Sequence, residues 1–304
     1  MFGFINLNKP TGFTSHDCIA KLRKLLNTRK IGHGGTLDPS ATGVLPIAVG
    51  KATRLLQFLP EKKAYCARIR LGVVTTTDDL EGDIIQSVKD IDLKPAQIID
   101  SLNTFVGTIE QVPPIYSAIK KGGKKLYELA RKGEEVVAQP RTIAIYKIEL
   151  ISISQGEFYE LEINVECGSG TYIRAIARDL GEKLGVGGTL AGLVRTQSCS
   201  MHLNNSFTFE QIASQLAQGT LNLIEPNHIL SHMGNVTLAE ESVKPWCQGQ
   251  LVDLSEAMAT NQISALDEGD YIVVYDKDKT FLGISVLFQL DNIMKIKPKI
   301  VCAI

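Results

Sequence analysis

The sequence has no uninterrupted run of about eighteen apolar residues, so it offers no helix able to cross a membrane. Its opening, MFGFINLNKPTG, lacks a basic leader and a long hydrophobic region, and a cytoplasmic protein is expected. Cysteine is sparse. The six (Cys18, Cys66, Cys167, Cys199, Cys247, Cys302) form no CxxC and no Cys/His pair at zinc spacing, which excludes a disulfide framework and a structural zinc site. The nucleotide-binding patterns GxxxxGK[ST] and GxGxxG are both missing, as are internal repeats and low-complexity segments.

Net charge is also nearly absent, at −1, but its distribution is uneven. Residues 1–150 hold 22 Lys and Arg against 15 Asp and Glu, and the remainder holds 10 against 18. A chain that is neutral in total can therefore present a local positive surface to a polyanion. Its 304 residues exceed one average domain. We expect two, at 1–225 and 235–304, separated where Pro226-Asn227-His228 and His232-Met233-Gly234 suggest a linker.

FGFINLNKP alternates as a short strand, and Ser15 is placed to cap a helix carrying Ile19, Leu22, Leu25 and Leu26. Residues 31–50, with five glycines, two prolines and no clean period, read as a long structured loop. AYCARIRL is a half-buried strand followed by the polar turn TTTDDLEGD, and Ala96 to Phe105 is helical. The lysine-dense QVPPIYSAIKKGGKK reads as a second irregular loop, closed by a helix over LYELARKG. Strands near 142–154 and 158–167 form a hairpin. Thr171 can cap the next helix, which turns Ile173, Ile176, Ala177, Leu180 and Leu184 to one face. DYIVVYD, TFLGISVLF and MKIKPKIVCAI make the tail β-rich. Strands and helices in mixed order, without βαβ repetition, predict an α+β fold with a mixed, largely antiparallel sheet flanked by helices.

The loop GHGGTLDPSATGVLP holds the best candidate for chemistry. Asp38 stands between glycines and Pro39 on a tight backbone where little bulk blocks a ligand. On pattern alone Asp38-Pro39 is also an ordinary turn, and Arg174 is a surface residue of an amphipathic helix. Tyr65, Tyr172 and Leu193 read equally as core positions, His33 as a lone structural histidine, and Lys120, Lys121, Lys124, Lys125, Arg131 and Lys132 as a solvated basic run.

NLNKPTGFTSHDCIAKLR followed by KIGHGGTLDPSATGVLPIAVGKATRL resembles the signature of the TruB family of tRNA pseudouridine synthases. The likeness continues in order through KKAYCARIRLG, VPPIYSAIKKGGKKLYELARKG, GTYIRAIARDLGEKLG and LAGLVRT, across most of residues 1–200. It implies a pseudouridine synthase fold followed by a small PUA-like domain, and isomerisation of uridine 55 in the T loop of tRNA without a cofactor. It implies Asp38 as the catalytic carboxylate, paired with Arg174, and Tyr65 against the extruded uracil. Tyr172 and Leu193 would line the base pocket, His33 would fill the gap left by the flipped base, and Lys120, Lys121 and Lys124 would grip the T arm. A monomer needing neither metal nor obligatory protein partner is expected.

Gly34 departs from the family, which often has a hydroxyl residue there, and Thr76 stands where an acid is frequent. Alternatives are a guide-RNA-dependent relative, which would need protein partners, an RNA-folding factor whose isomerase activity is incidental, and a carboxylate-dependent hydrolase. No second nucleophile–base pair supports the last.

Overall fold

The computed structural model describes residues 1–117, 119–121, 123–126, 138–259 and 267–302. In chain order its first strands are β1 (Gly3–Lys9), β2 (Ile31–His33), β3 (Thr42–Val49), β4 (Lys63–Leu71), β5 (Val73–Thr75), β6 (Ile84–Ser87), β7 (Gly107–Gln111), β8 (Lys120–Lys121), β9 (Lys124–Lys125), β10 (Arg141–Gln155), β11 (Tyr159–Cys167) and β12 (Gly188–Ser198). Among the described residues the large sheet runs β1-β3-β12-β4-β11-β10-β7, with β2 beside β3 and Met201–His202 beside β12. Only the β12–β3 pairing is parallel, so the sheet is mixed and largely antiparallel.

The alternation read in AYCARIRL survives folding because β4 and β11 each bury one face. Tyr65, Ala67, Ile69, Tyr159, Leu161, Ile163 and Val165 pack on Ile173, Ile176, Ala177 and Leu180 of the helix Ile173–Lys183. Each such fully buried side chain contributes on the order of 1.5–3 kcal/mol, enough together to set the register of the sheet against the helix.

The long loop expected over 31–50 is only partly a loop. Residues 31–33 and 42–49 are paired strands, leaving 34–41 as the connection. β3 is buried along nearly its whole length, so it shows no period-two pattern. Pro46 also disguises it. That residue falls between the stretches where β3 pairs on its outer side, at 47–49 with β2 and at 42–43 with β12. Gly43 is dictated by the close approach of β12: its φ is +102°, and a Cβ there would lie 2.3 Å from the Arg195 carbonyl oxygen.

Capping also differs. Thr14, not Ser15, caps the first helix, Ser15–Leu25, in a reciprocal box with Asp17. Thr171 does not cap the helix Ile173–Lys183; Tyr172 occupies that position without a side-chain bond, while the Thr171 hydroxyl donates to the Gly168 carbonyl. The lysine loop contains the short antiparallel pair β8–β9, and the helix expected over LYELARKG lies outside the described residues.

Among the described residues the C-terminal strands form a separate six-stranded sheet that includes Tyr271–Tyr275, Phe281–Leu290 and Ile293–Val301. The segment read as a linker is more than that. Pro226–Ile229 is a helical turn, and buried Ile229 and Leu230 join a cluster that includes Phe4, Val44 and Ala48 from one sheet and Val273, Ile284 and Ile300 from the other. Among the described residues no helix is long and apolar enough to cross a membrane.

Candidate active site

The connection 34–41 is held from below by two side chains whose roles no local pattern announces. Lys9 is fully buried at the end of β1, and its ammonium donates to the carbonyls of Pro10 (2.9 Å), Phe13 (2.7 Å) and Pro39 (3.2 Å). Burial pulls its pKa below the ordinary lysine value. The Ser15 hydroxyl accepts from the Leu37 N–H (2.9 Å) and donates to the Leu37 carbonyl (3.2 Å). Asp38 therefore sits on a backbone fixed at both neighbours.

Across from it, Arg174 enters from the first turn of the helix Ile173–Lys183. Its Nη2 lies 3.0 Å from Asp38 Oδ2 and donates to the Tyr116 carbonyl at 3.1 Å. Nη1 lies 3.3 Å from Asp79 Oδ2 and donates to the Thr77 carbonyl at 3.2 Å. The Arg174 and Asp79 side chains are 8% and 10% exposed, whereas Asp38 keeps 39%. One guanidinium thus joins a sealed carboxylate to an open one. Asp79 in turn accepts from the Thr77 hydroxyl (2.5 Å) and the Glu81 N–H (3.1 Å). One helical turn on, Arg178 repeats the grip on the same loop, 2.9 Å from Asp78.

A cleft of about 880 Å³ opens over this pair, within the size range of small-ligand sites. Asp38, Arg174, Tyr65, Tyr172 and Leu193 all line it, so the structure brings these five expected residues together. Tyr65 stands directly opposite Arg195 across the β4–β12 ladder. Burial pushes the Tyr65 hydroxyl pKa up, and the Arg195 charge pulls it partly back. Tyr172 is positioned by Gln111, whose side-chain amide donates to its carbonyl (3.1 Å) and accepts from its N–H (2.9 Å).

His33 is not among the lining residues; it stacks edge-on against His16, which is, with ring centres 5.6 Å apart. Its Nδ1 accepts from the Gly35 N–H at 3.3 Å. Burial, then the neighbouring His16 and Arg195, lower its pKa below the ordinary 6.5. The unfolded histidine takes up a proton as pH falls through about 6.5 while the folded one resists, so stability is complete above that value and declines below it. Urea unfolding at pH 7.5 and 5.5 is expected to show a smaller acid loss for His33→Gln than for the parent; an equal loss would contradict this.

Lys120, Lys121 and Lys124 lie on the short strands β8 and β9. At Gly34 a Cβ would come 2.6 Å from Leu59 Cδ1, the movable end of a half-buried side chain, so a larger residue there requires Leu59 to shift. The Thr76 hydroxyl accepts from the Asp83 N–H at 3.1 Å. Among the described residues no group of three or more His, Cys, Asp or Glu is arranged to hold a metal ion.

Sequence reasoning passed over Lys9, Asp79, Gln111 and Arg195. The first and last are cations in otherwise apolar strand positions, a pattern that marks a buried charge with a specific duty, here held by backbone carbonyls.

Residues 23–173 match the model of the TruB family pseudouridylate synthase N-terminal domain. The chain is 52% identical over 305 aligned residues to a tRNA pseudouridine synthase B of Gloeothece citriformis, covering 99% of this chain and 97% of that protein. It is 48% identical to that of Microcystis aeruginosa, covering 99% of each. Among solved structures, a chain in a crystal structure of a Cbf5-Nop10-Gar1 complex superposes with a TM-score of 0.75 at 26% identity, over 98% of this chain and 84% of that one.

Proposed function

The chain belongs to the TruB family of pseudouridylate synthases, isomerases that make pseudouridine in tRNA, and we propose that its target is the T-loop uridine, position 55, with Asp38 as the catalytic carboxylate. The observation that carries this reading is the half-open Asp38 carboxylate, paired with Arg174 at 3.0 Å in a cleft of nucleotide size.

The reaction breaks N1–C1′, turns the uracil, and joins C5 to C1′. C5 loses a proton and N1 gains one, so neither redox change nor group transfer is needed. The carboxylate can attack C1′, attack C6, or take the C2′ proton to give a glycal. Each route needs Asp38 ionised beside an apolar base. Arg174 supplies the opposite charge, 3.0 Å from the carboxylate. Tyr65, stacked on the uracil, can relay the C5 proton, its hydroxyl releasing its own proton as it takes up that one, while Tyr172 and Leu193 close the base pocket.

His33 takes the place of the flipped base, and as a neutral ring it can stack there without carrying charge into the helix. Lys120, Lys121 and Lys124 meet phosphates of the T arm. The reading takes 1–225 as the catalytic domain, 235–304 as a PUA-like domain, and the working form as a monomer. A guide-RNA-dependent mode is favoured less, because the similarity to tRNA-named relatives, at 52%, is double that to the Cbf5 chain, at 26%.

An unmodified T-arm hairpin incubated with pure protein in EDTA is expected to yield pseudouridine, read by mass spectrometry after cyanoethylation. A hairpin left unchanged, with full tRNA left unchanged as well, would overturn both the substrate and the cofactor-free reading.

A further inference from the structure

Among the described residues, two cations that line the cleft have no counter-ion. Lys63 and Arg195 both line it, and among the described residues neither forms an ion pair. Arg195 is fully buried and directs N–H groups to the carbonyls of Val44 (2.7 Å), Thr36 (3.2 Å) and Gly35 (3.1 Å) and to the Tyr65 hydroxyl, all neutral acceptors, so among the described residues no anion offsets its charge. The Lys63 ammonium has no hydrogen bond among those described, although the residue is only partly exposed. Burial first, and the adjacent Arg195 next, lower its pKa: the ammonium has lost water and gained a like charge. Both side chains flank one glycine of the Asp38 loop. A Cβ on Gly35 would lie 3.6 Å from Arg195 Nη1 and 3.7 Å from Lys63 Cε.

Strand geometry sets the distance from this pair to the chemistry. Lys63 precedes Tyr65 by two residues on β4, so both project to the same face, about 7 Å apart along the strand. That is roughly the span from a nucleobase to the phosphate of its own nucleotide. The cleft's carboxylates gather elsewhere, at Asp38 and on the loop carrying Asp79, Glu81 and Asp83. A nucleotide with its base on Tyr65 and its sugar facing Asp38 must direct its anionic end away from that loop.

Building on the reading of the cleft as a uridine site, we infer that Lys63, backed by Arg195, binds one of the two phosphates flanking the flipped uridine and so fixes C1′ relative to Asp38. Its ammonium donates to a non-bridging phosphate oxygen, while Arg195, already committed to the loop, supplies long-range charge.

The test couples protein and RNA changes. Hairpins carrying a neutral methylphosphonate on the 5′ or the 3′ side of the target uridine are compared with the native hairpin, for the parent chain and for Lys63→Met and Lys63→Arg. Both kcat/KM and hairpin Kd are measured. Removing the contact from either side should cost roughly 10- to 100-fold. At one position only, the methylphosphonate should add nothing further to Lys63→Met, whereas at the other the two effects should multiply. Lys63→Arg should recover most of the loss on native RNA. Multiplying effects at both positions would overturn the inference. So would a parent chain indifferent to both methylphosphonates, a result that does not depend on any variant folding. If the parent binds the hairpin but forms no pseudouridine, the functional reading fails alone, because the coupling is still read from Kd.

Discussion

Asp38→Asn is expected to cut pseudouridine formation by roughly 10⁴-fold or more while tRNA affinity stays within about threefold of the parent. The amide keeps the shape of the carboxylate and removes the charge on which all three chemical routes depend. Affinity should survive because phosphate contacts dominate RNA binding, and because Ser15 at Leu37 and Lys9 at Pro39 hold the backbone on either side of Asp38 even when its ion pair with Arg174 is lost. Single-turnover assays with tritium release from C5, beside filter binding, separate the two quantities. A variant turning over at the parent rate would remove Asp38 from the chemistry and leave the protein an RNA binder whose isomerase belongs elsewhere in the cleft.

Arg174→Met should damage both stability and activity, by separable means. With the guanidinium gone, Asp79 is left 10% exposed and without its cation, which costs about 3–5 kcal/mol for a buried pair broken on one side. Asp38, at 39% exposed, can turn toward water and adds little to that cost. Pairing Arg174→Met with Asp79→Asn removes the stranded charge, so urea unfolding should regain much of the lost stability. Activity should not return, since the carboxylate that reacts still lacks its partner. If the double variant recovered both, Arg174 would be a structural arginine only. If it recovered neither, the damage would come from lost packing of the guanidinium against the Thr77 and Tyr116 carbonyls.

Much of this is legible in the sequence. The strand around Tyr65 and the helix after Gly170 declare themselves by period, because one face of each meets a core and the other does not. β3 was illegible for the opposite reason. It is buried on both faces and interrupted by Pro46, so neither alternation nor propensity marks it, and its neighbours alone make it a strand. Ser15 was assigned to the wrong duty by an equally local argument. Thr14 caps the helix just as well, which frees Ser15 to hold Leu37.

Sequence by itself determined the elements whose signal lies within a few residues, the uneven charge of the two halves, and a motif order specific enough to mark Asp38 and Arg174. Tertiary structure alone decided what those residues are next to. That Arg174 is shared with Asp79, that Lys9 and Ser15 brace the loop from β1 and the first helix, and that Lys63 and Arg195 face the cleft without an anion all depend on strands distant in the chain being drawn into one sheet. Periodicity records which face of an element is buried. It carries no information about which charge from another element arrives there, because that is set by the register and crossing of β3, β4 and β12 rather than by any local preference.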